Sequence, residues 1–235
     1  MNILRKPFRY TNFHAVFWLI GINLLIFAAM QFFGNIVVGS VDISNLGIRD
    51  NLGRQFTRLE MTLSNVLAMM PQAVVKNGAL WSFVTYMFVH ADFGHVFFNM
   101  FGLFIFGFHI ERQMGSKEFL LFYLVTGALA GVFSFVIYIL THNPMVFLMG
   151  ASGALYAVQL AFAIYNPRAI VYILGIIPVR APWMVLGFTV LSMYFVFTGR
   201  GGNVAHLTHL AGFGFCWLYF MVRFGVNPWR RLTGR

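Results

Sequence analysis

Ser152 stands in the string Gly150-Ala151-Ser152-Gly153-Ala154-Leu155-Tyr156-Ala157, near the start of one apolar segment. His209 stands in Ala205-His206-Leu207-Thr208-His209-Leu210-Ala211-Gly212, near the start of the last one. A serine hydroxyl is a weak nucleophile until a neighbouring base takes its proton, so Ser152 needs an imidazole within hydrogen-bond reach. His209 supplies one if the two segments touch, and a hydrolase working inside a membrane is the chemistry this pairing suggests. Ionisable groups at bilayer depth are costly enough to be functional hypotheses by default. His95 and Asn99 on an earlier apolar segment are four residues apart and share a helix face. Acyl transfer requires donors aimed at the developing oxyanion, each worth about 2.7–4 kcal/mol. The Asn99 amide, a His95 N–H and the Ser152 backbone N–H are the candidates. The carboxylate that commonly orients a catalytic histidine has no obvious source. Asp42, Asp50 and Glu60 lie in a long connection, Glu111 and Glu118 belong to the opposite membrane face, and Asp92 reads as a helix N-cap. The expectation is a Ser-His dyad.

The elements that must position these groups are membrane helices. With 60% hydrophobic and only 9% charged residues, the chain has too little polar surface to coat a soluble globule. Lipid offers the backbone no hydrogen-bond partners, and long apolar runs without two-residue alternation select helices over a barrel. Six spans are read, at about 14–33, 93–110, 119–140, 149–165, 182–198 and 203–222, each near the roughly 20 residues that cross the hydrocarbon. The first follows Arg5, Lys6 and Arg9 and is longer than a cleavable signal core, so it is expected to be a retained anchor. Eleven of the sixteen Lys and Arg residues fall on one side if the N-terminus is cytoplasmic, which also returns the basic tail to that side. The net charge of +10 therefore reads as topology and anionic-lipid contact rather than nucleic-acid binding.

The fold class expected is all-α, one polytopic membrane domain over 1–235 with its core at about 80–222 and basic cytoplasmic tails. Close contact of the fourth and sixth spans is favoured by a row of small residues, Gly153, Ala157 and Ala161, facing Gly212 and Cys216. In the long connection, about 34–92, the stretch Val66 to Val75 is expected as an amphipathic helix along the outer interface. Asn166 to Pro182, with three prolines, is expected as a cytoplasmic turn with a short surface-seeking segment. Cys216 is the single cysteine, so no intrachain disulfide forms, and it reads as a small packing residue.

His90-x4-His95-x3-Asn99, Glu111-Arg112, Gly115-Ser116, Gly150-x-Ser152-Gly153-x2-Tyr156-Ala157 and His209-x2-Gly212 occur in that order over about 80–215. The pattern resembles the rhomboid intramembrane serine proteases in their minimal six-helix bacterial form. Each motif alone is short; together, each on its own span, they are specific. The resemblance implies a protease that cleaves the transmembrane segments of single-pass membrane proteins, without metal or cofactor. Ser152 would be the nucleophile and His209 the general base. His95, Asn99 and the Ser152 amide would form the oxyanion hole, and Tyr156 would pack on the His209 ring. Gly150, Gly153 and Gly212 would support the site, Glu111 and Arg112 would join a structural network, and His90 would be structural. Substrate would arrive laterally near the fifth span, 182–198, with 198–203 as a cap. A multi-pass protein of a bacterial cytoplasmic membrane, both termini inside, is expected.

One departure is Cys216, where the family often has glycine. Another is the doublet His206 and His209. Ala205-His206 mimics the start of the family motif, yet only His209 has glycine three residues on, so His209 is expected as the base and His206 as a neighbour nearer water. A lone serine in a membrane helix usually bonds its own preceding turn; it is the company of His209, His95 and Asn99 that favours catalysis. Competing readings are a transporter, which would more often show inverted repeats, and a metal protein using His206, His209, His90 and His95, although no His-Glu-x2-His string is present. A third is an inactive relative that binds transmembrane helices without cutting, but it would lack Ser152 or His209.

Overall fold

A computed structural model describes residues 8–50, 53–173, 175–198 and 203–233. Four of the sixteen basic residues, Arg5, Lys6, Arg200 and Arg235, and most of the expected cap at 198–203, lie outside the described residues. Among the described residues, five helices are long and apolar enough to cross a bilayer: α1 (Ala15–Phe33), α4 (Phe93–Met114), α5 (Ser116–Leu140), α7 (Ala181–Thr198) and the His206–Phe224 part of α8, whose α-helical turns run Asn203–Tyr219 before a π-turn, Phe220–Phe224. A sixth apolar helix, α6 (Ser152–Tyr165), has only 14 residues. The protein is an all-α multi-pass membrane bundle, as composition implied.

The start of α6 differs from the expected boundary at 149 because Gly150 has φ +109, which no helix accommodates. Once begun, α6 is buried on nearly every side, from Gly153 through Ile164 with only Tyr156 partly open, and it packs against α4, α5, α7 and α8. A helix apolar all round belongs at the centre of its bundle. Its small residues allow this: Ala154, Ala157, Ala161 and Ala163 are fully enclosed. At Gly212 of α8, an added Cβ would strike the carbonyl oxygen of Gly153, so the two backbones are in contact. Cys216 is buried one turn further along the same face.

At the opposite end of the bundle from Ser152, the helices are tied together by two buried carboxylates. Glu111 accepts hydrogen bonds from the backbone N–H groups of Ala15 (2.6 Å) and Val16 (3.0 Å) and from the Ser116 hydroxyl. It therefore caps the first turn of α1, where unpaired donors and the helix dipole favour negative charge. Gly115, at φ +81, separates α4 from α5. Glu118 is held by Arg223 through Nε (2.8 Å) and Nη2 (2.7 Å) and by the Tyr219 hydroxyl (2.5 Å). Sequence placed both carboxylates at this face without locating their partners.

The connections contain short strands that hydropathy did not reveal. β1 (Val37–Asp42) and β2 (Arg58–Thr62) form an antiparallel hairpin with a register shift at Val37/Gly39. The stretch Val66 to Val75 is not one interfacial helix: it is divided between α2 (Leu63–Leu67) and α3 (Pro71–Asn77), and Met69, Met70, Ala73 and Val74 are buried. Pro71 lacks an amide hydrogen and suits a helix start. Met70 and Ala73 pack with Val41, Ile43, Met61 and Ala79 into a second small core. Between α6 and α7 lies a second hairpin, β3 (Ile170–Ile173) with β4 (Ile177–Arg180), where a turn was expected. A last short helix, α9 (Pro228–Thr233), follows α8 and returns to α6.

Candidate active site

Ser152 is the first residue of α6, and His209 is in the second turn of α8, whose backbone reaches α6 at the Gly212–Gly153 contact. The His209 Nε2 atom lies 2.8 Å from the Ser152 Oγ atom. With the ring proton on Nδ1, Nε2 accepts from the hydroxyl, which is the arrangement a general base requires. Nδ1 is buried and has no hydrogen-bond partner among the described residues. Tyr156, one turn after Ser152, stacks its ring on His209 with centroids 4.2 Å apart and planes at 13°. The ring orientation is thus held by an aromatic face instead of a carboxylate. Asp92, the acid nearest in position, is the N-cap of α4, accepting from the His95 N–H at 2.8 Å.

His95 and Asn99 lie on one face of α4, as their spacing predicted. His95 Nδ1 is 3.5 Å from the Ala91 N–H, which directs the ring's Nε2 toward Gly150; a Cβ on Gly150 would come within 2.5 Å of that nitrogen. Asn99 is 4% exposed, its amide N–H2 donates to the His95 carbonyl at 2.8 Å, and its Oδ1 has no partner. Ser152 begins a helix, so its N–H is among those that no intrahelical carbonyl satisfies. The structure brings Ser152, His209, Tyr156, Gly153 and Gly212 together directly, and sets His95 against Gly150 immediately before the serine.

His90 was assigned a structural place, and its contacts define it. Its Nε2 accepts from the Ala151 N–H at 3.4 Å, and its ring meets His95 edge-on at 5.0 Å. The Gly150 N–H donates to the Tyr86 carbonyl at 2.9 Å. Two successive amides before Ser152 are therefore held by the segment 86–90. Burial, with the neighbouring His95 adding to it, brings His90 down to about 4, so the ring is neutral near pH 7. Sequence reasoning missed Ser134 of α5, whose hydroxyl lies 2.5 Å from that of Thr208, next to His209. Two hydroxyls 74 positions apart leave no sequence signal.

His206 stacks on Phe195 of α7 at 4.7 Å and meets His209 edge-on at 5.7 Å. The four histidines considered as a metal set form two separate pairs, and among the described residues no group of three His, Cys, Asp or Glu side chains converges. The geometry can do nucleophilic chemistry: a hydroxyl next to a base, with N–H donors on the side facing α4.

Comparison with known proteins gives the same direction. A family model described as "Rhomboid domain" matches residues 77–225. The chain is 34% identical over 155 residues to "RHOMBOID-like protein 12, mitochondrial" of Arabidopsis thaliana, covering 58% of this chain and 44% of that protein. It is 33% identical over 92 residues to "Putative rhomboid protease YdcA" of Bacillus subtilis (strain 168), covering 39% of this chain and 42% of that one. It is 26% identical over 135 residues to "Rhomboid protease GlpG" of Haemophilus influenzae, covering 57% and 67% respectively. The chain thus spans less than half the length of the first two of these relatives.

Proposed function

This chain belongs to the rhomboid family, and on that footing we propose that it is an intramembrane serine endopeptidase acting through a Ser152–His209 dyad. The observation that carries the reading is the 2.8 Å approach of His209 Nε2 to Ser152 Oγ across two helices. The family match and the similarity to relatives named as rhomboid proteases support it.

In the proposed reaction the Ser152 oxygen attacks a peptide carbonyl as its proton passes to His209 Nε2. The negative oxygen of the tetrahedral intermediate is met by the Ser152 N–H, His95 Nε2–H and the second Asn99 amide hydrogen. His209 then gives its proton to the departing amine, leaving an acyl-serine. Water, deprotonated by His209, hydrolyses that ester and restores the enzyme. Tyr156 keeps the imidazole plane fixed throughout.

The substrates proposed are single-pass proteins whose transmembrane segments reach the site laterally from the α7 side. A bacterial cytoplasmic membrane is the location proposed, and the charge pattern supports both termini inside with Ser152 toward the outer face.

The test is cleavage of a panel of tagged single-pass proteins by purified wild type, Ser152→Ala, His209→Ala and His206→Ala, alongside labelling by a fluorophosphonate. Wild type and His206→Ala are expected to cut and to be labelled, and the other two are expected to do neither. Cleavage surviving in Ser152→Ala would remove the serine mechanism.

A further inference from the structure

All six acidic residues lie at or before position 118, whereas 119–235 contains seven arginines and no acid. Among the described residues the salt bridges are Arg54–Asp50, Lys76–Asp42 and Arg223–Glu118, so Arg180, Arg230 and Arg231 have no carboxylate partner. All three are exposed. They stand where β4 meets α7 and on α9, at the end of the bundle away from Ser152.

Between α7, α8 and α9 runs an apolar groove of about 600 Å³. It is lined by Leu186, Leu210, Phe213 and Leu232, and its mouth is taken at the exposed Trp183 and Trp229. That volume is in the range of sites that hold small ligands. Trp183 and Trp229 are 64% and 60% exposed at the mouth. Tryptophan concentrates where headgroups meet hydrocarbon, so this mouth is at headgroup level. Arg180 is three residues before Trp183, and Arg230 and Arg231 directly follow Trp229.

We propose that this groove is a binding site for one anionic phospholipid, with an acyl chain along Leu186, Leu210 and Phe213 and the phosphodiester and acidic headgroup among Arg180, Arg230 and Arg231. Guanidinium groups pair with phosphate oxygens through parallel N–H donors. The apolar wall gives the chain a fixed seat, which separates this site from diffuse attraction of basic tails to an anionic surface. The site joins α7 to α9 with its arginine end away from the dyad, and binding there does not depend on the protein being a protease.

Gly214 lines the groove, and a Cβ built on it meets nothing within 4 Å, so Gly214→Leu fills the groove without a clash at its first carbon. The experiment is native mass spectrometry of the full chain in detergent, titrated with dioleoylphosphatidylglycerol or dioleoylphosphatidylcholine. Wild type is expected to retain one phosphatidylglycerol about tenfold more tightly than phosphatidylcholine. Arg180→Gln/Arg230→Gln/Arg231→Gln is expected to lose that preference, Gly214→Leu to lose tight retention of the first lipid, and Arg112→Gln, on α4, to retain it as wild type does. Equal retention of the two lipids by wild type overturns the proposal, and that measurement needs no variant to fold. Unchanged retention in Gly214→Leu, or loss in Arg112→Gln equal to that of the triple variant, overturns it in favour of unspecific charge.

Discussion

Gly212 and Gly153 meet backbone to backbone: the position a Cβ would take on Gly212 is already held by the Gly153 carbonyl oxygen. These residues are one turn beyond His209 and one residue beyond Ser152, so the approach of His209 to Ser152 is set by the absence of a side chain on α8. Gly212→Ala is expected to push the helices apart and lower peptide cleavage roughly 100-fold, as displacements near 1 Å do. Cleavage rate and fluorophosphonate labelling should fall together. A wild-type rate in a folded Gly212→Ala would show that the close contact is dispensable.

Gly150 makes the second demand for glycine. Its φ of +109 is strained for any other residue, and the His95 ring occupies the space a Cβ would need. Gly150→Ala is expected to displace His95 and cut kcat by roughly 100-fold, the loss typical of one oxyanion donor, while KM for a peptide substrate changes little. A raised KM with kcat intact would assign this loop to substrate binding instead.

Tyr156 tests what replaces the missing carboxylate. Tyr156→Phe keeps the ring that stacks on His209, and Tyr156→Leu does not. Stacking is worth about 0.5–1.5 kcal/mol, so Leu should slow cleavage roughly 2- to 10-fold relative to Phe. Equal rates for the two would leave the imidazole orientation to other contacts.

His90 gives a pH signature. Its pKa in the folded protein, about 4, is below the ordinary histidine value because burial opposes the charged ring, with His95 acting in the same sense and Asp92 and the Phe88 carbonyl in the other. The unfolded chain therefore binds more protons between about pH 4 and 6.5, and stability falls as pH drops through that window, by up to about 1.4 kcal/mol per unit. His90→Gln should flatten this part of the stability profile relative to wild type, measured by thermal denaturation in detergent at pH 7 and pH 5. Parallel profiles would place the acid sensitivity elsewhere.

Glu118 and Arg223 are 4% and 13% exposed in their side chains, and removing one leaves the other uncompensated. Glu118→Leu is expected to cost about 3–5 kcal/mol, and Glu118→Leu/Arg223→Leu clearly less, because the double change removes both charges. A double variant less stable than Glu118→Leu would mean that the Tyr219 contact carries the joint.

The long helices were legible because an uncharged run of about 20 residues has few other uses. Ser152, His209, His95 and Asn99 were legible because polar groups are conspicuous against hydrocarbon. The hairpins were not: β3 and β4 have four residues each, too short for alternation to separate them from a turn. Nor was the fate of Val66 to Val75, whose apolar residues are shared between the main core (Met69, Val74) and a small core formed with β1 and β2 (Val66, Met70, Ala73), a tertiary fact that periodicity cannot carry. The partners of Glu111, namely two amides of α1 almost a hundred positions away, are of the same kind.

The 14 residues of α6 have one more consequence. At 1.5 Å per residue they reach about 21 Å, against a hydrocarbon layer of about 30 Å. If the Tyr165 end is level with one surface, the helix stops short of the other by roughly 9 Å. The short helix thus works as a ruler that sets how far below the surface Ser152 sits. For the proposed reaction, that shortfall is also the distance water would travel below the surface to reach an acyl-serine.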